Sequence, residues 1–421
     1  MIKINKFSGS TGILKLEQIL DKRRNVKNTN INLVSKILKD IKKNKNKAVI
    51  KYEKKFSNNN RIKPTKSEIK QAIRSLNPKV KKAIDYASNR IFKYHSLQRI
   101  KDVNYRDKLN NTFQYKSVSL NIVGIYVPAN LPSTLLMTAI PAKIAGVKKI
   151  ILVNPRINKK LNPAVIYTAR KLGIRDIYSI GGAQAIGSLA YIQKVDKIVG
   201  PGNIYVAKAK KEVFGYVGIE GMIAGPSEIT IVADKKSETK SVITSLIGQA
   251  EHDVNSQCII ISKDFTVLKK IKNLIKKSLK NLPRKKIVTK SLKTNGLLIH
   301  AKNDKNIIDL INLIAPEHLE LNIANPKKYL NKIVNAGSIC LGKFSAMAVT
   351  DYNAGTNHVL PTMGSARFSS GLNVSDFCKK ISYINLSKKG IEVIGKQAIT
   401  LAEYENLEGH AQSIKSRIRR K

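Results

Sequence analysis

A chain of 421 residues, 42% of them hydrophobic, exceeds the size at which a single core usually stops growing, so two or more globular domains are expected. Its three cysteines, Cys258, Cys340 and Cys378, show no CxxC spacing, which argues against a disulfide framework and against a thiolate zinc site. The net charge of +49 is spread along the whole length without a single tryptophan, the pattern of solvated lysine-rich faces and not of a nucleic-acid interface.

Residues 1–10 lack the apolar core of a signal peptide, and no apolar run reaches the roughly 20 residues of a membrane helix, so a cytoplasmic protein without membrane contact is expected. The first part of the chain reads as helical. Ile84, Ala87, Ile91 and Tyr94 recur at helical spacing within 81–95, Thr65 or Ser67 offers a cap for a preceding helix, and His95 closes the stripe as a packed helix residue. The lysine-rich run 42–47 reads as a solvated face, as does the basic terminus 417–421.

From about residue 121 the pattern changes. Residues 122–127, 149–153, 176–180 and 197–199 are short apolar strands, separated by helical stretches near 134–145, 162–172, 184–191 and 204–214. Such a parallel βαβ series places ligand sites at the strand C-termini. Tyr126 and Pro128 follow the first strand, Gly181-Gly-Ala-Gln184 the third and Gly200-Pro-Gly-Asn203 the fourth. Glycines there let the backbone approach a ligand, and the helix N-termini that follow favour phosphate, although no GxGxxG fingerprint is present.

A second α/β series begins at 229–234, behind Ala224-Gly-Pro-Ser-Glu228. It runs through a helix from about Ser241 and strands at 258–262, 297–299 and 338–341. Gln249 and His252, three apart at the end of that helix, share a face and could point at one metal ion or one polar ligand. His252, His318, His358 and His410 all fall in segments crowded with acids and turn residues. The Glu- and Lys-rich helical segment from Ile391 has too few apolar positions to stand alone, so it should dock on its own body or on a partner subunit. The expected fold is α/β, with two Rossmann-like parallel-sheet domains, one inserted in the other: 121–228 within a larger domain of 1–120 and 229–380. A helical tail over 381–421 completes it.

Val123-Gly-Ile-Tyr-Val-Pro128, Ile140-Pro-Ala-Lys-Ile-Ala-Gly146, Gly181-Gly-Ala-Gln-Ala185, Asp196-Lys-Ile-Val-Gly-Pro-Gly-Asn203, Ala224-Gly-Pro-Ser-Glu228 and Gln249-Ala-Glu-His252 stand in a fixed order. Ala315-Pro-Glu-His-Leu-Glu320, Asp351-Tyr352, Asn357-His-Val-Leu-Pro-Thr362 and Glu408-Gly-His410 continue it. In sequence and order these motifs resemble the histidinol dehydrogenase family. The resemblance implies a domain-swapped homodimer that oxidises L-histidinol to L-histidine in two NAD-linked steps with one zinc ion per subunit.

By motif, Gln249, His252, Asp351 and His410 match the zinc ligands, a set whose imidazoles, carboxylate and amide oxygen suit a borderline divalent ion. Glu317 and His318 match the catalytic pair, His318 as general base and Glu317 as the group that activates water. Ser227 and Glu405 match substrate contacts, to which the zinc ligands and His318 also contribute, while Tyr126, Gln184 and Asn203 match the NAD site. Glu405 and His410 lie ~140° apart on an ideal helix, so sharing a face requires a break, for which Gly409 is the candidate. The resemblance further implies that the tail carries these two residues to the other subunit. His358 reads as structural or ligand-supporting and His300 as incidental.

The chain also departs from the family pattern. Ala129-Asn130-Leu131 replaces a longer glycine-containing loop, Ile192-Gln193-Lys194 a longer segment, and Met347 and Thr350 replace a glutamate and a glycine before Asp351. Two rival readings are a cysteine-dependent aldehyde dehydrogenase using Cys258 and a catalytically degraded basic binding protein.

Overall fold

The computed structural model describes residues 2–7, 9–24, 31–220, 225–280 and 282–418. Ala224, at the head of one motif, and residues 419–421, the end of the basic terminus and of the expected tail, lie outside the described residues.

In chain order the first elements are β1 (Ile4–Lys6), α1 (Gly9–Arg24), α2 (Ile31–Ser57), α3 (Lys66–Arg74), α4 (Pro78–Ser96), β2 (Val103–Arg106) and β3 (Thr112–Ser119). The central series is β4 (Ile122–Tyr126), α5 (Pro132–Ala145), β5 (Lys149–Val153), α6 (Pro163–Lys171), β6 (Asp176–Tyr178), α7 (Gly182–Tyr191), β7 (Lys197–Val199), α8 (Ile204–Val213) and β8 (Gly218–Ile219). The next comprises β9 (Glu228–Ala233), α9 (Thr239–Ala250), β10 (Gln257–Ser262), α10 (Phe265–Ser278), α11 (Lys285–Asn295), β11 (Gly296–His300), α12 (Asp304–Ile314), β12 (His318–Asn322) and β13 (Ser338–Leu341). Finally come α13 (Met347–Tyr352), β14 (Cys378–Asn385), α14 (Lys388–Tyr404) and α15 (Glu408–Lys415).

Two parallel sheets result, with strand orders β6-β5-β4-β7-β8 and β1-β11-β10-β9-β12-β13. β9 and β10 are buried at every position, and their sequences are rich in isoleucine and valine. The five-stranded sheet is built wholly from residues between β1 and β9 of the other, so its chain is inserted in the path of the larger sheet.

The first 120 residues divide between the two sheets, unlike the expected grouping of 1–120 with 229–380. β1 pairs with β11, and α1 packs on α12. Helices α2 and α4 instead pack on α7 and α5, so Leu38 and Ile41 share a core with Ile186 and Leu189, and Ile84 and Ile91 share one with Val123 and Leu136. The stripe on α4 closes on buried His95, as expected, while Tyr94, read as part of it, is exposed.

A third sheet was not expected at all. β14 runs antiparallel to β3 along its full length, from Cys378↔Ser119 to Asn385↔Thr112, and β2 lies on the other side of β3. The expected helical tail over 381–421 therefore begins as a strand. No described helix is long and apolar enough to cross a membrane.

Candidate active site

The catalytic candidates sit at the entry ends of the six-stranded sheet. His318 opens β12 and pairs in register with Ile229 of β9, which sets Glu317 beside Glu228 at the start of the neighbouring strand. The Glu228 backbone N–H donates to Glu317 Oε2 at 2.7 Å. Ala315, in the left-handed conformation at φ 47, ends α12 and turns the chain into this corner.

His318 Nε2 lies 3.8 Å from Glu317 Oε1 and 3.7 Å from Asp351 Oδ1, although the three residues come from β12, its preceding turn and α13. His358 Nδ1 stands 2.7 Å from the Asp351 carbonyl oxygen and donates to it. His252, open to solvent at the end of α9, is close enough that its positive charge would disfavour protonation of both His318 and His358. Gln249, one turn earlier on α9, is buried, and among the described residues neither its Oε1 nor His318 Nδ1 has a hydrogen-bond partner.

Burial governs the charge states. It holds the His318 imidazole down at about 3 and His358 at about 4, so both are neutral near neutral pH. It pushes the Asp351 carboxyl up to about 7. Glu317 is raised well above the usual carboxylate range, by burial first and then by the Glu228 and Asp351 charges, against the Glu228 N–H bond.

The other expected residues are placed unequally. Ser227 is half-buried immediately before β9. Glu405 and His410 lie exposed on the C-terminal helices, which pack on each other, and so stand apart from the cluster within one chain. The helix break between them falls at Glu405–Leu407, where Asn406 takes φ 58, and not at Gly409, which lies inside α15.

At the exit ends of the five-stranded sheet, Tyr126, Gln184 and Asn203 are all engaged. Burial raises the Tyr126 hydroxyl above its ordinary value, and the nearby Gly182 backbone N–H acts against that shift. Gln184 Nε2 donates to Glu53 Oε1 at 2.8 Å. Asn203 caps α8 through Tyr205 and Val206. At the α7 end, where N–H groups are expected to favour phosphate, the Gly181 backbone N–H donates to the same Glu53 Oε1 at 2.8 Å.

Sequence reasoning missed Glu53 and Glu228. Glu228 was visible at the end of a recognised motif. Glu53 gave no signal, because an acid in the lysine-rich helix α2 reads as solvated while its side chain is fully buried.

A divalent metal is implied by the motif resemblance. Among the described residues no three His, Cys, Asp or Glu side chains gather as a metal site. Gln249, His252 and Asp351 nevertheless fit as a partial set: an orphaned buried amide oxygen, an open imidazole and a half-buried carboxyl with no lysine or arginine beside it. Cys258 fits no nucleophilic role, since it is wholly buried in β10 and its thiol is pushed up to about 12.

The model of the family described as histidinol dehydrogenase matches residues 20–418. Histidinol dehydrogenase of Pelagibacter ubique is 56% identical over 428 aligned positions covering 100% of both chains. That of Hydrogenovibrio crunogenus is 40% identical, again over 100% of both. The crystal structure of histidinol dehydrogenase from Elizabethkingia anophelis superposes with a TM-score of 0.93 at 36% identity, covering 99% of this chain and 98% of that one.

Proposed function

The chain belongs to the histidinol dehydrogenase family, and from that premise we propose that it oxidises L-histidinol through L-histidinaldehyde to L-histidine, passing a hydride to NAD in each of two steps. The observation that carries the site assignment is the meeting of His318, Glu317 and Asp351 within 3.8 Å at the mouth of the six-stranded sheet.

In the first step the carbinol C–H bond breaks as hydride leaves for the nicotinamide, and the hydroxyl proton goes to His318. Burial keeps that imidazole unprotonated and so able to accept. The carboxyl groups of Glu317 and Asp351 beside it can share the proton. Water then adds to the aldehyde carbon, Glu317 in its ionised form taking the water's proton while His318 returns its proton to the carbonyl oxygen; from the resulting diol a second hydride leaves for a second NAD as the unprotonated His318 takes a hydroxyl proton, giving the carboxylic acid.

Gln249, His252 and Asp351 would hold one zinc ion, together with His410 of a second subunit. When bound, the ion supplies positive charge that orients the substrate's imidazole and amine and favours the ionised forms of Glu317 and Asp351. Ser227 and a partner subunit's Glu405 would hold the polar end of the substrate, the carboxylate pairing with its ammonium group. Tyr126, Gln184 and Asn203, at the exit ends of the five-stranded sheet within 121–228, would hold NAD.

Surface chemistry supports a homodimer. Tyr105, Tyr115, Tyr383 and Ile384 are exposed on the antiparallel sheet, and Leu401 and Tyr404 on α14, with Tyr404 85% exposed. A second copy covering this surface would bring the tail to the neighbouring cluster. No nucleic acid or membrane enters the reading, and a cytoplasmic location suits an enzyme drawing on soluble NAD.

The test is NADH formation from L-histidinol with and without a chelator. Turnover that stops on chelation and returns with zinc supports the reading; turnover indifferent to chelation removes the metal from it, and none at all leaves the degraded binding protein.

A further inference from the structure

The loop joining Asp351 to His358 is held from the far side of the molecule. Arg90, on α4, donates from Nε to the Asn353 carbonyl at 2.6 Å and from Nη2 to the Ala354 carbonyl at 3.0 Å. The Tyr86 ring lies 5.9 Å from the same guanidinium. Gly355, at φ +113, packs so closely that an added Cβ would come within 3.3 Å of the Arg90 carbonyl oxygen and of Tyr94 Cβ.

One turn further along α4, buried His95 completes the contact. Its Nδ1 lies 2.9 Å from the Ile91 carbonyl, which fixes the proton on that nitrogen and leaves Nε2 as the acceptor. Asn357 Nδ2 reaches Nε2 at 3.3 Å, and also donates to the Met137 carbonyl of α5 at 2.7 Å. Asn357 Oδ1 accepts from Val359 N at 2.9 Å. The adjoining His358 ring then donates to the Asp351 carbonyl. These bonds connect a helix of one sheet's layer to the Asp351-bearing segment beside the other sheet.

We propose that Arg90 and His95 are positioning residues: α4 fixes where the Asp351 carboxylate stands against His318 and Gln249, so that zinc affinity depends on a helix that supplies no ligand. This rests on the zinc reading given above. A ligand on a helix of six residues has little of its own to hold it. Two adjacent carbonyls gripped by one guanidinium fork supply the missing restraint. Lysine cannot reproduce that grip, because it offers a single point charge and not a planar pair of donors. Loss of such outer partners typically lowers metal affinity by about 10–100-fold.

The test is chelator-competition titration of zinc into the full-length protein, wild type against Arg90→Met and Arg90→Lys, with NAD binding to the metal-free forms measured in parallel. Arg90 is solvent-exposed, so both variants should fold, which thermal unfolding checks. The expected result is at least tenfold weaker zinc binding in Arg90→Met, an intermediate loss in Arg90→Lys and unchanged NAD affinity. Wild-type zinc affinity in Arg90→Met would overturn the proposal, and so would an equal loss of NAD affinity, which marks general loosening. Failure of the wild type itself to bind zinc would refute the metal reading instead.

Discussion

Burial decides what each side chain of the cluster can do. The same burial lowers the His318 imidazole and raises the Glu317 carboxyl, because it disfavours whichever form carries the charge. His318→Gln should lower kcat by roughly 10²–10⁴ while zinc content stays constant, as read from steady-state NADH formation and metal analysis. Cys258→Ser should leave both oxidations nearly intact; selective loss of aldehyde oxidation would restore the thiohemiacetal route. Away from the site, Lys210 is buried with Glu220 and also donates to the Gly200 carbonyl. Removing one partner of a buried pair strands the other, so Lys210→Met should cost about 3–5 kcal/mol in urea-induced unfolding. The histidines and acids of the cluster could be picked out from the sequence because their motifs are dense and ordered. Their charge states could not, since those depend on neighbours up to a hundred residues away.

Among the elements, the parallel strands were legible and the antiparallel ones were not. β9 and β10 are buried throughout and rich in aliphatic residues, whereas β2 is exposed at all four positions and β14 at all but the first, so those two lack a buried face to mark them. The glycines that end β6 and β7 were correctly placed at strand exits, but their purpose differs from simple turn chemistry. Gly200, at φ +112, lies so near the Tyr126 carbonyl that any Cβ would overlap it. Gly200→Ala should therefore displace the β4 and β7 ends, raising the KM for NAD more than that for histidinol. Glu53 closes the α7 entry from below by accepting from Gly181 and Gln184. Glu53→Ala removes the acceptor for both, and a loss of about 1.5–3 kcal/mol in denaturant titration is expected. Stability equal to wild type would mean that those donors find water or another acceptor.

For the whole molecule, a surplus of positive charge makes each carboxylate matter more. Asp40, Glu68, Asp85, Asp107, Asp264 and Asp304 all have folded-state values below their ordinary ones, through hydrogen bonds or lysine and arginine partners. A lowered folded value contributes stability above the unfolded value, near pH 4, that is lost as pH falls through the folded one, about 2 for Asp40. The melting temperature should fall steeply below about pH 4, and added salt should soften the fall by screening. At the level of assembly, mixing His410→Asn and Glu317→Gln dimers should restore partial activity if tails are exchanged; confirmed heterodimers without activity would reject the exchange. The sequence by itself determined the alternation of strands and helices, the two parallel series and the family, because these reside in local periodicity and in motifs read one after another. Only the tertiary structure decided that α2 to α4 belong to the five-stranded sheet's core, that β14 closes a third sheet with β3, and that Asp351 stands beside His318. Those relations join residues far apart in the chain, and no local pattern of hydrophobicity encodes which surface a helix or loop will bury against.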